Sequence, residues 1–428
     1  MLEVTKHLES YLDRELKKDC QYNQIPSIFD GLKPIERCVL SVIIKLSIEN
    51  KNGYILSKNI ILKCLETLEF DVELIYKVIC ILVNNKKSLF ITKGNFGCLD
   101  YPENQKESDW NCTSIKLNPI LYDFYKINNE ISEYLPFIVP IGLIGNNISI
   151  KVGKNQTISP KYKIYDLLIR LKSLITNDVD LPKIKPNIEG CLLSEVSNGF
   201  TDILENGIGT INISPKNIKN VDSITLLGST PIRKFNKLLE EAKQVESKTK
   251  THMFNYSCSI EPFSLTLYPI TESLPKFITK INSLVSESIK FNNIVVNNDG
   301  NIQEISIDKI LKSNFERYKK YKISQLETKI NQLNNVIKQI NIAKLIVENI
   351  SVINDKDFIT KINNDNKYSQ EDIKTVLNNI PLTKLISLPK VDDKEKELVK
   401  LQNQLENIDE IIKNELDTFV TITNKEGL

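Results

Sequence analysis

The chain has 428 residues, enough for two or three domains with cores of their own, and its 56 Lys+Arg against 54 Asp+Glu leave a net charge of +2. That balance excludes a uniformly basic nucleic-acid coat, so any nucleic-acid surface has to be a local patch. Eight cysteines without a CxxC pair exclude a zinc ribbon, and the lack of a membrane-length apolar run or secretory h-region predicts a soluble intracellular protein, cytoplasmic or nucleoid-associated, with no membrane partner.

Residues 2–19 (LEVTKHLESYLDRELKKD) have the spacing of an amphipathic helix. The pattern leaves this first segment, 1–23, as either a partner-binding surface or a helix packed on the domain that follows. From 24 to 130, short helical stretches alternate with turn signals. DGLKP at 30–34 leads into the apolar-periodic IERCVLSVIIKL, with Pro34 suited to a first helical turn. From 131 to 308 the pattern shifts to short β-prone runs, ISIKVG, GTINIS, SLTLYPI and NIVVNN, broken by Gly, Pro and Asn, which predicts an α+β domain.

From 309 to 428 the sequence is helical and charged. Ile323, Leu326, Ile330, Leu333, Ile337 and Ile340 follow a heptad spacing, and Leu398, Leu401, Leu405, Ile408 and Ile412 repeat it. Seams this narrow do not fill a globular core, so the two helices are expected to pair antiparallel as an arm. Between them, in a knob at about 351–390, Ile380, Leu382, Leu385 and Leu388 form an apolar cluster. Its simplest cover is its own copy in a two-fold dimer; the other reading is a self-contained helical knob.

Six stretches, in this order, resemble the breakage-reunion (A-type) subunit of type IIA DNA topoisomerases, the family of gyrase, topoisomerase IV and the phage and eukaryotic enzymes. They are IPSIFDGLKPIERCVL (25–40), GNFGCLD (94–100), LNPI (117–120), LPFIVPIGLIGNNISIKVGKNQTISP (135–160), GIGTINI (207–213) and LTKLISL (382–388). The resemblance implies a multidomain α+β chain with a winged-helix DNA gate at 24–130 and an α/β tower at 131–308. A long antiparallel coiled coil at 309–428 would end in a C-terminal dimer gate. It also implies a homodimer on double-stranded DNA, without the β-pinwheel that gyrase uses to wrap DNA.

In GNFG, Gly94 and Gly97 permit close backbone approach while Lys93 and Asn95 offer donors; a plain tight turn fits the same residues. Lys33 and Arg37, one helical turn apart, suit phosphate contacts or a solvated face. Lys116 and Lys151 add cations in the neighbouring stretches. Ile150 matches the position where the family wedges an isoleucine between base steps to bend DNA, and is otherwise a strand core residue.

In the family an Arg-Tyr pair precedes the leucine of the LNPI-like turn, and the tyrosine oxygen bonds to a DNA phosphate while a second duplex passes. Counted back from Leu117, these positions hold Asn111 and Cys112. A thiol side chain is shorter than a phenol, and sulfur is a poor partner for phosphoryl transfer. Glu107 and Asp109 oppose its ionisation, and Asn111 has no charge for the pentavalent phosphate. Tyr101, Tyr122, Thr113 and Ser114 are the other hydroxyls near the site. Where the family has a His-Pro-His-Gly-Asp turn, residues 64–74 read CLETLEFDVEL, keeping Asp71 and neither histidine; His7 and His252 lie elsewhere.

The sequence has no P-loop and no acidic set like the family's Glu and Asp-x-Asp, so no metal or cofactor is assigned to this chain. Mg²⁺ and ATP would come through a B-type partner subunit. Two functions follow from the resemblance: a dimer that holds and bends duplex DNA without cutting it, or an active ATP-dependent topoisomerase subunit that makes a transient double-strand break with another nucleophile.

Overall fold

A computed structural model describes residues 25–66, 71–98, 106–127, 134–145, 148–152, 155–230, 235–249, 254–260, 263–270, 273–296, 302–349, 368–379 and 391–427. They form a mixed α+β chain that divides into two compact units, residues 1–315 with 419–428, and residues 316–418. The segments expected at 24–130 and 131–308 both fall in the first unit. The expected N-terminal helix, most of the knob, and Ile380, Leu382, Leu385 and Leu388 lie outside the described residues.

The first unit opens with α1 (Pro34–Glu49), which begins where Pro34 has no N–H to lose and where the Lys33 amide donates to Glu36 Oε2 at 3.1 Å. Its inner face, Ile35, Val39, Leu40, Ile43 and Ile44, is buried, at about 1.5–3 kcal/mol per side chain. After it come β1 (Ile55–Leu56), α2 (Ser57–Leu65), α3 (Val72–Asn85), β2 (Phe90–Lys93), β3 (Ser114–Leu117) and α4 (Pro119–Ile127). The three strands pair antiparallel in the order β1–β3–β2. On β3, Ile115 and Leu117 are buried, while Ser114 and Lys116 alternate with them toward the open face.

The unit continues through β4 (Ile148–Val152), β5 (Asn155–Ser159), α5 (Ile164–Thr176), β6 (Cys191–Glu195), α6 (Gly199–Asn206), β7 (Ile208–Pro215), β8 (Asn217–Lys219) and β9 (Ile224–Leu226). Then follow α7 (Phe235–Thr249), β10 (Phe254–Ile260), β11 (Phe263–Pro269), α8 (Leu274–Val285), β12 (Glu287–Asn292), β13 (Ile294–Val296) and β14 (Ile302–Glu304). Five strands form a sheet ordered β4–β5–β12–β7–β6, in which β5 and β12 run parallel. Four more form an antiparallel sheet ordered β10–β11–β9–β8. Its Ile224, Leu226, Leu265 and Leu267 share a core with Leu238 of α7 and with Phe277 and Ile281 of α8.

One buried ion pair ties α5 to the first turn of α9 (Ile307–Glu348). Arg170, 2% exposed, donates from Nη2 to Asp308 Oδ2 at 2.6 Å and from Nε to Oδ1 at 2.9 Å. A pair matched at both nitrogens satisfies charges that would otherwise be costly to bury.

The second unit holds most of α9, α10 (Gln370–Asn379), α11 (Val391–Glu406) and the first part of α12 (Ile408–Glu426). Tyr318 and Lys322 both donate to Glu415, at 2.8 and 2.9 Å, and Lys319 pairs with Asp409. Of the heptad positions, Leu333, Ile340, Ile408 and Ile412 are buried and the rest half-buried, as a narrow seam requires. Ile342, Ala343 and Ile346 pack with Ile373 and Val376 of α10 in a small separate core.

Candidate nucleic-acid interface

The stretch between β2 and β3 is held by side chains at both ends. Gly94, at φ +91°, lies so close to the other end that a Cβ there would stand 2.5 Å from the Cys112 carbonyl oxygen. Asn95 closes the loop. Its Oδ1 accepts from Gly97 N (2.9 Å), its Nδ2 donates to Lys106 O (3.0 Å), and its carbonyl accepts from Ser108 N (2.9 Å). Asn95, read from the sequence as a DNA donor, uses its side-chain oxygen and one Nδ2 N–H within the turn.

Residues 110–112 make one 3-10 turn capped by Asp109, whose Oδ1 accepts from both the backbone N and the Nδ2 of Asn111, at 2.8 and 2.7 Å. Cys112 ends that turn, exposed and reduced. Thr113 is fully buried. Its hydroxyl donates to Ser57 Oγ at 2.8 Å and lies 3.3 Å from the Tyr76 hydroxyl, which donates to Ser108 O at 2.6 Å. Thr113 therefore offers no accessible nucleophile. Tyr76, on the inner face of α3, is a nearby phenol that sequence reasoning missed, because its helical spacing reads as core. Burial pushes its pKa up to about 12. Ser114 and Tyr122 are half-buried, and Tyr101 lies outside the described residues.

The cations fall into two groups. Arg37, expected as a phosphate ligand, is committed elsewhere: Nε and Nη2 donate to the fully buried Asp30 at 2.6 and 2.8 Å. Asp30 also accepts from Leu32 N and Leu135 N, so this carboxylate organises the DGLKP turn. Lys33 is half-buried at the cap of α1. Lys93 and Lys116 sit on the open face of the three-stranded sheet, where Lys93 lies opposite Ser114 and Lys116 opposite Ile91. Lys93 Nζ stands 4.0 Å from the centre of the Tyr54 ring, and Leu56 and Ile91 are exposed beside it. On α3 the exposed residues are Glu73, Leu74 and Lys77.

Ile150 and Lys151 lie on β4, opposite Thr157 and Gln156 of β5. Among the described residues no group of three or more His, Cys, Asp or Glu is placed to hold a metal ion. No described helix is long and apolar enough to cross a membrane. No protein-family model matches the chain, and no curated protein matches it.

Proposed function

We propose that this chain is an A-type, type IIA topoisomerase-like protein that holds and bends duplex DNA as a homodimer and does not cut it. One observation carries the reading: Cys112 stands exposed at the end of the β2–β3 connection, where a cleaving relative needs tyrosine, with Asn111 turned onto Asp109. With asparagine at position 111, that site has no neighbouring guanidinium to stabilise a phosphorane. The winged-helix part of the reading is supported by the order helix, strand, two helices, strand, loop, strand, with the sheet order β1–β3–β2. The coiled-coil part is supported by the ion pairs Lys319–Asp409 and Lys322–Glu415 that join α9 to α12.

In this reading phosphates meet Lys93 and Lys116 on the open sheet face, and the β4–β5 hairpin brings Ile150 and Lys151 to the bend. The apolar cluster Ile380, Leu382, Leu385 and Leu388 forms the dimer gate, and a B-type subunit supplies Mg²⁺ and ATP. The test uses the full chain with supercoiled plasmid, Mg²⁺, ATP and a candidate B-type subunit, stopped with denaturant, alongside a titration with a duplex oligonucleotide. Salt-sensitive duplex binding without protein-linked linear DNA is expected. Linked product that disappears in Cys112→Ala or Ser114→Ala, or no duplex binding at all, would overturn the proposal.

A further inference from the structure

The open face of the three-stranded sheet sets apolar side chains and cations in one register. Leu56, Ser114 and Lys93 stand in a row across β1, β3 and β2, and Lys116 and Ile91 stand in the next row. Tyr54, two residues before Leu56, lies on the same side: the Lys93 Nζ is 4.0 Å from the centre of its ring. To reach a ring beside β1 from β2, the Lys93 side chain has to cross β3, and the small Ser114 in its row leaves room for that. Tyr54, Leu56 and Ile91 are 37%, 44% and 38% exposed, so ring and methyl groups meet solvent between the two lysines.

The charge on this face is of one sign. None of the three strands carries an acidic residue, and Asp109, the acid nearest to β3 on its N-terminal side, holds Asn111. Lys93 and Lys116 start from diagonal positions on neighbouring strands, roughly 7–8 Å apart, and so reach along a single polynucleotide strand. An intact duplex offers a flat face only its sugars and phosphates, because its bases are stacked inside; Tyr54, Leu56 and Ile91 would then lie against charged backbone. A strand with unpaired bases matches both parts of the face, with phosphates on the ammonium groups and base faces on the ring and methyl groups. A second copy of the same face would set lysine against lysine.

We propose that this open sheet face binds unpaired nucleotides of DNA, so that the chain holds gapped DNA more tightly than intact duplex. One base stacks on Tyr54; in taking over the ring it leaves the Lys93 ammonium to a phosphate of the same strand. Leu56 and Ile91 cover the neighbouring base, and Lys116 takes a further phosphate. Phosphates are common to paired and unpaired DNA, so the preference comes from the ring and the two aliphatic side chains. The proposal rests on the reading above in taking the ligand to be DNA, and adds which state of DNA the face selects.

Anisotropy titrations of the full chain at one salt concentration test it. The probes are a labelled duplex, the same duplex with a short single-stranded gap, and a DNA single strand of the gap sequence. The gapped duplex is expected to bind about tenfold or more tightly than the intact one, and Tyr54→Ala to cut that ratio by about fivefold or more. Tyr54→Phe, which keeps the ring, should keep the ratio. Ile91→Thr, at an exposed position and still β-branched, should also lower it, and decides the matter if Tyr54→Ala does not fold. Equal affinity for gapped and intact duplex, or a ratio that Tyr54→Ala leaves untouched, would overturn the proposal while the duplex-holding reading stands. Tight binding of the single strand without any of the intact duplex would support the proposal and overturn that reading, and binding of no probe would overturn both. Poly-glutamate that displaces the gapped probe as well as unlabelled strand does, or a tighter hold on an RNA strand of the same sequence, would also overturn the proposal.

Discussion

Gly142 lies directly on Gly31, so that a Cβ on Gly142 would overlap the Gly31 carbonyl, and the Gly142 amide donates to Asp30 O at 2.6 Å. The DGLKP turn and the VPIGLIG stretch (139–145), far apart in sequence, are therefore one packed junction.

Gly142→Ala should destabilise the protein by about 3 kcal/mol, because the new methyl meets backbone that has nowhere to move. Gly31→Ala should cost less, about 1–2 kcal/mol, since its Cβ would meet its neighbours at 3.1–3.3 Å and the main penalty is its φ of +68°. Urea denaturation midpoints of the two variants check the order; a Gly142→Ala protein as stable as Gly31→Ala would contradict the junction.

Asp30 and Arg37 yield a prediction that separates structure from DNA binding. Asp30→Ala leaves a half-buried guanidinium and the Leu32 and Leu135 amides unmatched, and Arg37→Met leaves the fully buried Asp30 carboxylate without its counter-charge, so either change alone should cost about 3–5 kcal/mol. If phosphates bind on the sheet face, Lys93→Gln should lower the slope of log K against log salt for duplex DNA by about 0.9 for each phosphate left unneutralised, and Arg37→Met should leave that slope unchanged. Binding titrations across a salt series measure both.

What could be read from the sequence follows the reach of the interactions. Pro34 marks the start of α1 and the SIKL alternation gives the two faces of β3, because propensity and periodicity are local. The heptad seam gives the helices of the second unit, but α9 is continuous from Ile307, so the division at 315/316 follows where its packing partners change and leaves no mark in the pattern. Arg37 and Asn95 look free in sequence because Asp30 and the Lys106 carbonyl reach them only once the turns close. Lys86 resembles a solvated lysine after a helix end. Its carbonyl partners are 55 to 58 residues away, and no local signal announces them.

The thiols should separate by reactivity. Cys112 is exposed, while burial pushes Cys64 up to about 12 and Cys80 up to about 11. Alkylation near pH 8 should label Cys112 well before Cys64 and Cys80, which should react only after denaturation. Peptide mapping of a timed iodoacetamide reaction reads the order; early labelling of Cys64 or Cys80 would mean that the packing of α2 and α3 is looser than described.

Phe419 returns the end of α12 to the first unit, with ring centroids 5.8 Å from Phe137 and 6.2 Å from Phe124, while Phe124 and Phe137 themselves stand edge to face at 4.9 Å. Ring pairs of this kind contribute about 0.5–1.5 kcal/mol each beyond the area they bury. Phe419→Ala should therefore cost about 2–3 kcal/mol. Phe419→Leu, which restores most of the volume without the ring edge, should recover about half of that loss. Because Phe124 lies on the helix that follows β3, the loss should appear as reduced hydrogen-exchange protection in peptides covering 114–127. If protection there stays at the wild-type level while Phe419→Ala still lowers the unfolding midpoint, the ring supports only its own helix, and the aromatic cluster does not carry the β3–α4 segment next to Cys112.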